Sequence, residues 1–490
     1  MRWVVALLLI LLPGRALAQS NFEGAQIGGR TTLMGGAGVA NGSDEATAFL
    51  NPAAITRIPG QSFSFSTFTV DLANRKVENV LDPSGRLKLD DANAGKLNLR
   101  IIPNTFCLFL DGPPKDNYSG RSRHKYSLCA AATERERLNL TQNRFETRGE
   151  NGFVGFSQST DMEFVRSTMA FSWGISLDKK TSLGVTFRTD NTRFQDHTTA
   201  TAFVADSNQG GQQTLSLARE SWSWDTSVTI GVTSNISKLV TLGAALTTPS
   251  QHLIGKYTSN SALSLGVEQG NGIVQDNGDF RYNSPGSLRL GLAFSWPRLT
   301  VEVNGSFYGP QNKRASANFD RRIVAYDPNG RADTVVGRGN ISERGRPVTN
   351  LSIGSEYFIW SDFSVLGGFG SDFSGLQPRL DQDVGDVLFR QQRDAVHASL
   401  GMSSYGRRGR LMLGVMGEYS WGDVLVADPT LVVPKFIASP QTEVAVSLII
   451  SGQLNFTTVV EAAERATTPL TGSTGNKSSS AAPESNGGSR

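Results

Sequence analysis

Apolar side chains recur at every second position over much of this chain. Across residues 287–296, Leu288, Leu290, Leu292, Phe294 and Trp296 fall on one face, with Ser287, Arg289, Gly291, Ala293 and Ser295 on the other. Pro297-Arg298 turns the chain, and Leu299, Val301, Val303 and Phe307 then alternate with Thr300, Glu302, Asn304 and Ser306. A period of two over this length predicts strand rather than helix. The pattern returns on either side of turns at 178–180, 361–362 and 407–409. In each hairpin one connection is very short and the next long. Counting such segments gives about fourteen strands, an even number that suits a bacterial outer-membrane barrel. Their approximate spans are 61–72, 97–110, 125–140, 162–177, 181–195, 220–235, 239–249, 285–296, 299–309, 348–360, 363–373, 394–405, 409–421 and 442–456. The first three alternate least well, and Pro103 interrupts the second, which predicts a kink, a bulge or an edge there.

Alternation alone also suits a soluble sandwich, whose strands bury one face. Two features favour a membrane barrel. The polar face carries Arg166, Arg188, Arg289, Glu302, Glu356, Arg410, Glu418 and Glu443 among many Gly, Ser and Thr, as a wet, crowded lumen would. Tryptophans gather near strand ends: Trp173, Trp296 and Trp360 by short turns, Trp222, Trp224 and Trp421 by long loops. Two aromatic girdles flanking an apolar band are what membrane interfaces favour. The predicted fold class is therefore all-β: a transmembrane antiparallel β-barrel over residues 61–456, with short turns in the periplasm and long loops outside. In its last segment Val444, Val446, Leu448, Ile450, Leu454 and Phe456 share a face, similar to the signal read by bacterial barrel assembly machinery. The chain continues in a Ser-, Thr-, Gly- and Asn-rich tail, 457–490, predicted to be disordered and periplasmic.

The first residues supply the compartment. Arg2, an apolar run from Trp3 to Leu12, a Pro13-Gly14 break and Ala16-Leu17-Ala18 form a signal peptide, residues 1–18, cleaved after Ala18. The run falls short of the roughly 20 residues a spanning helix needs, and no later run approaches that length. Apolar content of 38% and a net charge of +3 fit a secreted β protein or a barrel. Without a basic stretch interleaved with aromatics they give no case for nucleic acid. Export permits a disulfide. Cys107 and Cys129 lie almost symmetrically about Tyr118 in a Gly-, Pro- and charge-rich stretch, so a hairpin sets them nearly opposite each other. That favours a cross-strand disulfide over two unbonded thiols, although spacing leaves both open.

Between signal peptide and first strand lies a glycine-rich stretch, 28–40, followed by Asp44-Glu45-Ala46-Thr47-Ala48 and Asn51-Pro52-Ala53. It is no phosphate cradle: no strand precedes it, and it lacks both G-x-G-x-x-G and G-K-[ST]. Residues 35–40, 44–48 and 51–53 resemble the start of the outer-membrane long-chain fatty acid transporter family, of the FadL/TodX type. Ser284-Pro285-Gly286 opening a strand and 351–360 turning into Phe363 fit as well, so the resemblance covers most of residues 24–456. It implies a fourteen-stranded barrel whose N-terminal segment, here 19–60, folds into the lumen as a hatch. Hydrophobic substrate enters from outside through a groove between long loops, reaches a lumenal site and leaves sideways through a gap at a kinked strand. In the hatch, Gly35, Gly36 and Gly38 let backbone pack closely and take positive φ, and Asn51, Pro52 and Ala53 fix a turn. Pro103, or the irregular third strand near Cys129, is the candidate for the kink.

The partners so implied are a long-chain fatty acid or other hydrophobic small molecule, outer-membrane lipid, and the barrel assembly machinery during biogenesis. Related barrels share the N-terminal motif without carrying fatty acids, which leaves open a non-transporting barrel serving surface assembly or secretion. A carboxylate substrate calls for a lumenal cation, and Arg166, Arg188, Arg289 and Arg410 all have inward parity. They suit equally well ion pairs with Glu302, Glu356, Glu418 and Glu443 that stiffen the barrel. Phe358, Met412 and Met416 also face inward, where they would line an apolar pocket. His397-Ala398-Ser399 resembles the His-x-Ser pair of outer-membrane phospholipase A, yet its parity is lumenal, whereas a lipid hydrolase needs its nucleophile facing lipid. His124, His197 and His252 are scattered and make no metal-ligand group with the cysteines. The expectation is passive passage of fatty acids or other hydrophobic compounds, with no enzyme activity, metal or cofactor.

Overall fold

Pairing of the alternating segments closes the chain into one antiparallel sheet. It is seen in a computed structural model that describes residues 27–78, 92–99, 104–112, 123–148, 152–206, 209–264, 271–327, 329–376, 382–383, 387–406, 409–428 and 435–456. Fourteen strands circle the lumen. In order they are Ser62–Val77; Ala92–Leu99 with Thr105–Asp111; His124–Arg148; Gly152–Ser176; Thr181–Asp206; Gln209–Asn235; Val240–Thr247 with Gln251–Ser264; Asn271–Tyr282 with Ser287–Ser295; Leu299–Tyr308 with Gln311–Tyr326; Ala332–Gly345 with Val348–Trp360; Phe363–Asp372; Gln391–Gly406; Gly409–Asp428; and Lys435–Asn455. Joined ranges are two pieces of one strand. The ring closes where first meets last, from Ser62 opposite Asn455 to Val77 opposite Gln441. The fourteen segments expected from alternation are these fourteen, in the same order. The signal peptide 1–18, the tail 457–490, Pro103 and Tyr118 lie outside the described residues.

The faces follow the predicted parity. Leu288, Leu290, Leu400, Leu411, Leu413 and Val446 are 40–60% exposed on the outside of the ring, whereas Arg289, Glu302, Glu356 and Arg410, on the opposite parity, are buried. Trp173, Trp222, Trp224, Trp296 and Trp360 stand on the outer face as well. An outer surface this rich in large apolar groups is at home in hydrocarbon, not water. Among the described residues no helix is long and apolar enough to cross a membrane, and the strands do the crossing. Short turns close one end of the ring. In one of them the exposed Asp178 accepts backbone N–H bonds from Lys180 and Thr181, both 2.6 Å, which hold its carboxyl below the usual range.

The strands run much further outward than the alternation indicated. The third to sixth are 25, 25, 26 and 27 residues long, against about 9–11 needed to cross a bilayer. Gln251–Ser264, Asn271–Tyr282, Gln311–Tyr326 and Ala332–Gly345 are likewise strand where long loops were expected. The reason is a change of phase. In the fourth strand Met169, Phe171 and Trp173 face outward, but further up the outward positions are Glu163 and Asp161, and Met162 and Phe164 turn inward and are buried. Above the bilayer the outer face meets water, so the apolar side chains change sides and the lower pattern breaks off.

The second strand is described in two pieces, the outer meeting the first strand at Leu99–Val70 and the inner at Thr105–Ser66. The register slips between Phe68 and Val70 on the first strand and between Ala132 and Glu134 on the third. Such bulges bend strands and locally end pairing. Among the described residues no ladder joins Ala92–Leu99 to the third strand. Cys107 on the inner piece and Cys129 on the third strand stand directly opposite each other and form a disulfide. Both are buried. Intact protein should therefore resist thiol alkylation even when denatured, and take up two alkyl groups by mass spectrometry only after reduction; labelling without reductant would contradict the bond.

Candidate functional site

The N-terminal segment forms three short turns, Gly29–Leu33, Thr47–Leu50 and the 3-10 helix Pro52–Arg57. Gly35 (φ 65°) and Gly36 (φ 91°) end the first in the left-handed region that a side chain resists. Pro52 opens the 3-10 helix, where its missing N–H costs nothing. The Asn51 side chain accepts from Ala53 N–H (3.2 Å) and donates to the carbonyls of Val39 (2.8 Å) and Val232 on the sixth strand (3.1 Å). Gly38 lies against Thr31, where a Cβ would come within 2.7 Å of the hydroxyl.

This segment lies inside the ring, its backbone seated on lumenal glycines. A Cβ on Gly184 would come 2.3 Å from the Pro52 carbonyl carbon, and one on Gly243 2.3 Å from the Val39 oxygen. On Gly354 it would lie 2.3 Å from the Met34 oxygen, and on Gly368 2.1 Å from the Met34 carbonyl carbon. Gly354 and Gly368 are cross-strand partners, as are Gly184 and Gly231 and the pair Gly401 and Gly414 under Leu33. Buried carboxylates complete the seat. Glu302 accepts from the N–H groups of Ala40 (2.7 Å) and Asn41 (3.2 Å). Glu356 takes Arg30 (2.8 Å), Arg410 (3.2 Å) and the Ser364 hydroxyl (2.8 Å).

The seat accounts for several of the predicted site residues. Arg410 belongs to the Glu356 network, Met412 and Met416 pack on Leu33 and Met34, and Phe358 lies against Tyr405 with ring centroids 5.6 Å apart. His397 and Ser399 are taken up here too: Ser399 donates to the Leu33 carbonyl (3.0 Å), and a His397 ring nitrogen lies 3.3 Å from that of Gly35.

The other three arginines come together. Arg166, Arg188 and Arg289, from the fourth, fifth and eighth strands, line one cavity of ≈ 80 Å³ with Asp190 and Tyr308, floored by Ile27, Phe49 and Leu50 of the N-terminal segment. Arg166 donates to Thr133 (3.2 Å) and Ser284 (3.1 Å), and Arg289 to the Tyr308 hydroxyl (3.1 Å). Arg188 lies 3.6 Å from Asp190, and its buried Nε has no hydrogen-bond partner among the described residues. Among the described residues that line the cavity, three guanidiniums stand with one carboxylate, an excess of positive charge. The cavity has room for roughly five to eight waters, enough for an anionic headgroup but not for a long chain. Thr133, at the slip in the third strand, puts this cavity beside the inner piece of the second strand, where the Asn104 carbonyl accepts from the neighbouring Ala132 N–H.

Directly outward of the arginines the lumen turns apolar. Phe164 is two positions from Arg166 on the same face, and Tyr282 two positions from Ser284. With Leu138, Met162, Phe194 and Phe280 they belong to one buried apolar cluster that lines the lumen. Phe389 packs within it, its ring meeting Phe164, Phe194 and Tyr282 edge-on at 5.3–6.0 Å. Inward parity picked out the arginines; their height did not follow from it, although distance from the short turn carries it. Arg410 is one position into a strand that starts at Gly409, Arg188 seven into one that starts at Thr181.

No protein-family model matches the chain, and no curated protein matches it in sequence. Solved structures do match in fold. A Pseudomonas aeruginosa FadL homologue is 11% identical with a TM-score of 0.56, over 90% of this chain and all of that one. The P. putida toluene transporter TodX is 14% identical with a TM-score of 0.56, over 89% of this chain and 99% of that one. The CymD monoaromatic hydrocarbon channel is 13% identical with a TM-score of 0.52, over 89% and 99%. At these identities the likeness is one of fold, and it extends over nearly the whole of each chain: this protein is built as a barrel of the FadL/TodX type.

Proposed function

We propose that the protein carries hydrophobic molecules with a carboxylate end, such as long-chain fatty acids, passively across the bacterial outer membrane. The observation that carries this reading is the stacking of an apolar stretch of lumen wall on a cavity with three arginines. Those walls offer burial to an alkyl chain that takes the place of Phe389, and the cavity offers a carboxylate charge-assisted hydrogen bonds. A pure hydrocarbon has no use for the arginines, and a water-filled porin has no use for the apolar wall. The structural neighbours are described as a FadL homologue, a toluene transporter and a hydrocarbon channel, which supports a hydrophobic cargo.

The N-terminal segment then serves as the hatch that closes the periplasmic half of the lumen. The side exit lies beside the arginine cavity, where the register slips on the first and third strands. A molecule leaving there enters lipid without crossing the polar headgroups. The apolar face of the last strand is the feature by which assembly machinery would take up the barrel.

Cells or proteoliposomes with and without the protein, given labelled oleate and labelled toluene, test the proposal. Oleate uptake should depend on the protein and saturate. Protein-dependent toluene uptake without oleate uptake would refute the carboxylate assignment, and no uptake of either would refute transport.

A further inference from the structure

We infer that residues 387–390, between the eleventh and twelfth strands, are an internal ligand of the barrel. Leu388 and Phe389 fill the space that the apolar part of a cargo must occupy, so loading requires the segment to move out. The inference rests on the transport reading above and adds a gate on the outer side, opposite the N-terminal hatch.

Place and burial argue first. Val387, Leu388, Phe389 and Arg390 are all buried, all but Phe389 almost completely. Phe389 sits against Phe164 and Tyr282, each two positions outward of a residue that lines the arginine cavity. A fatty acid with its carboxylate among the arginines would send its chain along the line that Phe389 now occupies.

The way the segment is held argues next. Its backbone up to Phe389 is gripped by side chains, and only at its end does it join the sheet, where the Arg390 carbonyl accepts from Leu425 N–H (2.8 Å). Glu343 accepts from the N–H groups of both Leu388 (2.7 Å) and Phe389 (2.9 Å). Arg219 donates to the Val387 carbonyl. Arg390 pairs with Asp196, donates to the Thr198 hydroxyl (2.6 Å) and lies 4.7 Å from the centre of the Phe436 ring. These charged groups sit on the parts of strands that extend beyond the bilayer, so a departing segment leaves them to water, where separated charges are tolerated, and not to hydrocarbon. The burial lost when Leu388 and Phe389 withdraw is regained by a hydrophobic cargo against the same walls. Two occupants of one site with nearly balanced burial is what makes such an exchange reversible.

The test uses the full-length protein in detergent, with heat-modifiable gel mobility as the check of folding. The two native cysteines are bonded to each other, so a thiol introduced by Leu388→Cys reports alone. Its labelling by a water-soluble maleimide should be slow in the empty protein and at least about tenfold faster with saturating oleate. Phe389→Ala, and Glu343→Gln which leaves the apolar walls intact, should each tighten binding of a fluorescent fatty acid by about tenfold, because the internal competitor is weakened. Labelling that stays slow while oleate binds would overturn the inference and spare the transport reading, as would unchanged or weaker binding in both variants. If no variant binds fatty acid, the transport reading fails. A neutral probe such as N-phenylnaphthylamine then decides about the apolar wall: it should bind more tightly to Phe389→Ala than to the native protein, and equal binding would end the inference.

Discussion

Replacing Arg188 or Arg289 by glutamine should lower the affinity for oleate roughly 10- to 150-fold, the loss expected when a buried charge-assisted hydrogen bond worth about 1.5–3 kcal/mol is removed. Toluene binding in the same variants should be nearly unchanged, because the apolar lumen wall stays intact. The control is Arg410→Gln. Arg410 carries inward parity like the others, but its partner is Glu356, which also holds Arg30. Losing it should loosen the seat of the N-terminal segment and reduce heat stability while leaving oleate affinity close to native. Titration with a fluorescent fatty acid, beside thermal unfolding, separates the two effects. Equal losses of affinity in all three variants would mean that the arginines act through the fold and not on the cargo. Arg289→Lys adds a finer check. A lysine keeps the charge but gives up the planar fork, so it should recover only part of the binding.

Much of this arrangement was legible in the chain, and the limit of legibility has a physical cause. Within the bilayer one face of every strand must meet hydrocarbon, so a strict period of two is imposed on Leu288, Leu290 and Leu292 or on Leu411, Leu413 and Val415, and the strand order follows. The N-terminal motif was legible for a different reason. Gly35 and Gly36 need positive φ, and Asn51-Pro52 a capped turn. Beyond the bilayer no such constraint acts on the outer face. There Phe280 and Tyr282 are apolar because they face the lumen, and sequence read with the lower phase takes them for loop. Residues 387–390 have no periodicity at all. Their burial is decided by Glu343, Asp196 and Arg219, which lie 45 to 194 residues away in the chain, and no local pattern carries that information. The cavity falls between these cases: parity gave its arginines, while only the count from each turn separates Arg166, Arg188 and Arg289 from Arg410.

A methyl group at Gly354 or Gly368 should turn a closed barrel into a leaky one. At Gly368 the new Cβ would lie 2.1 Å from the Met34 carbonyl carbon and 2.3 Å from the Gly35 nitrogen; at Gly354 it would lie 2.3 Å from the Met34 oxygen. These are backbone atoms, which cannot swing aside as a side chain does. Overpacking of this kind costs about 1–3 kcal/mol per site, and the two sites face each other across neighbouring strands, so in the double variant they push on the same stretch. The strands are tied into a closed ladder, whereas this part of the segment is tied by fewer bonds, notably those of Ser399 and Glu356. The segment is the one that yields. Gly354→Ala/Gly368→Ala protein in planar bilayers should therefore show ion conductance well above native, and cells carrying it should admit large antibiotics that the native barrel excludes. Gly417→Ala, where nothing lies within 4 Å of the added methyl, should behave as native. A tight double variant would mean that the belt of glycines merely tolerates the segment; a leak confined to it would show that the missing side chains are what keeps the lumen shut.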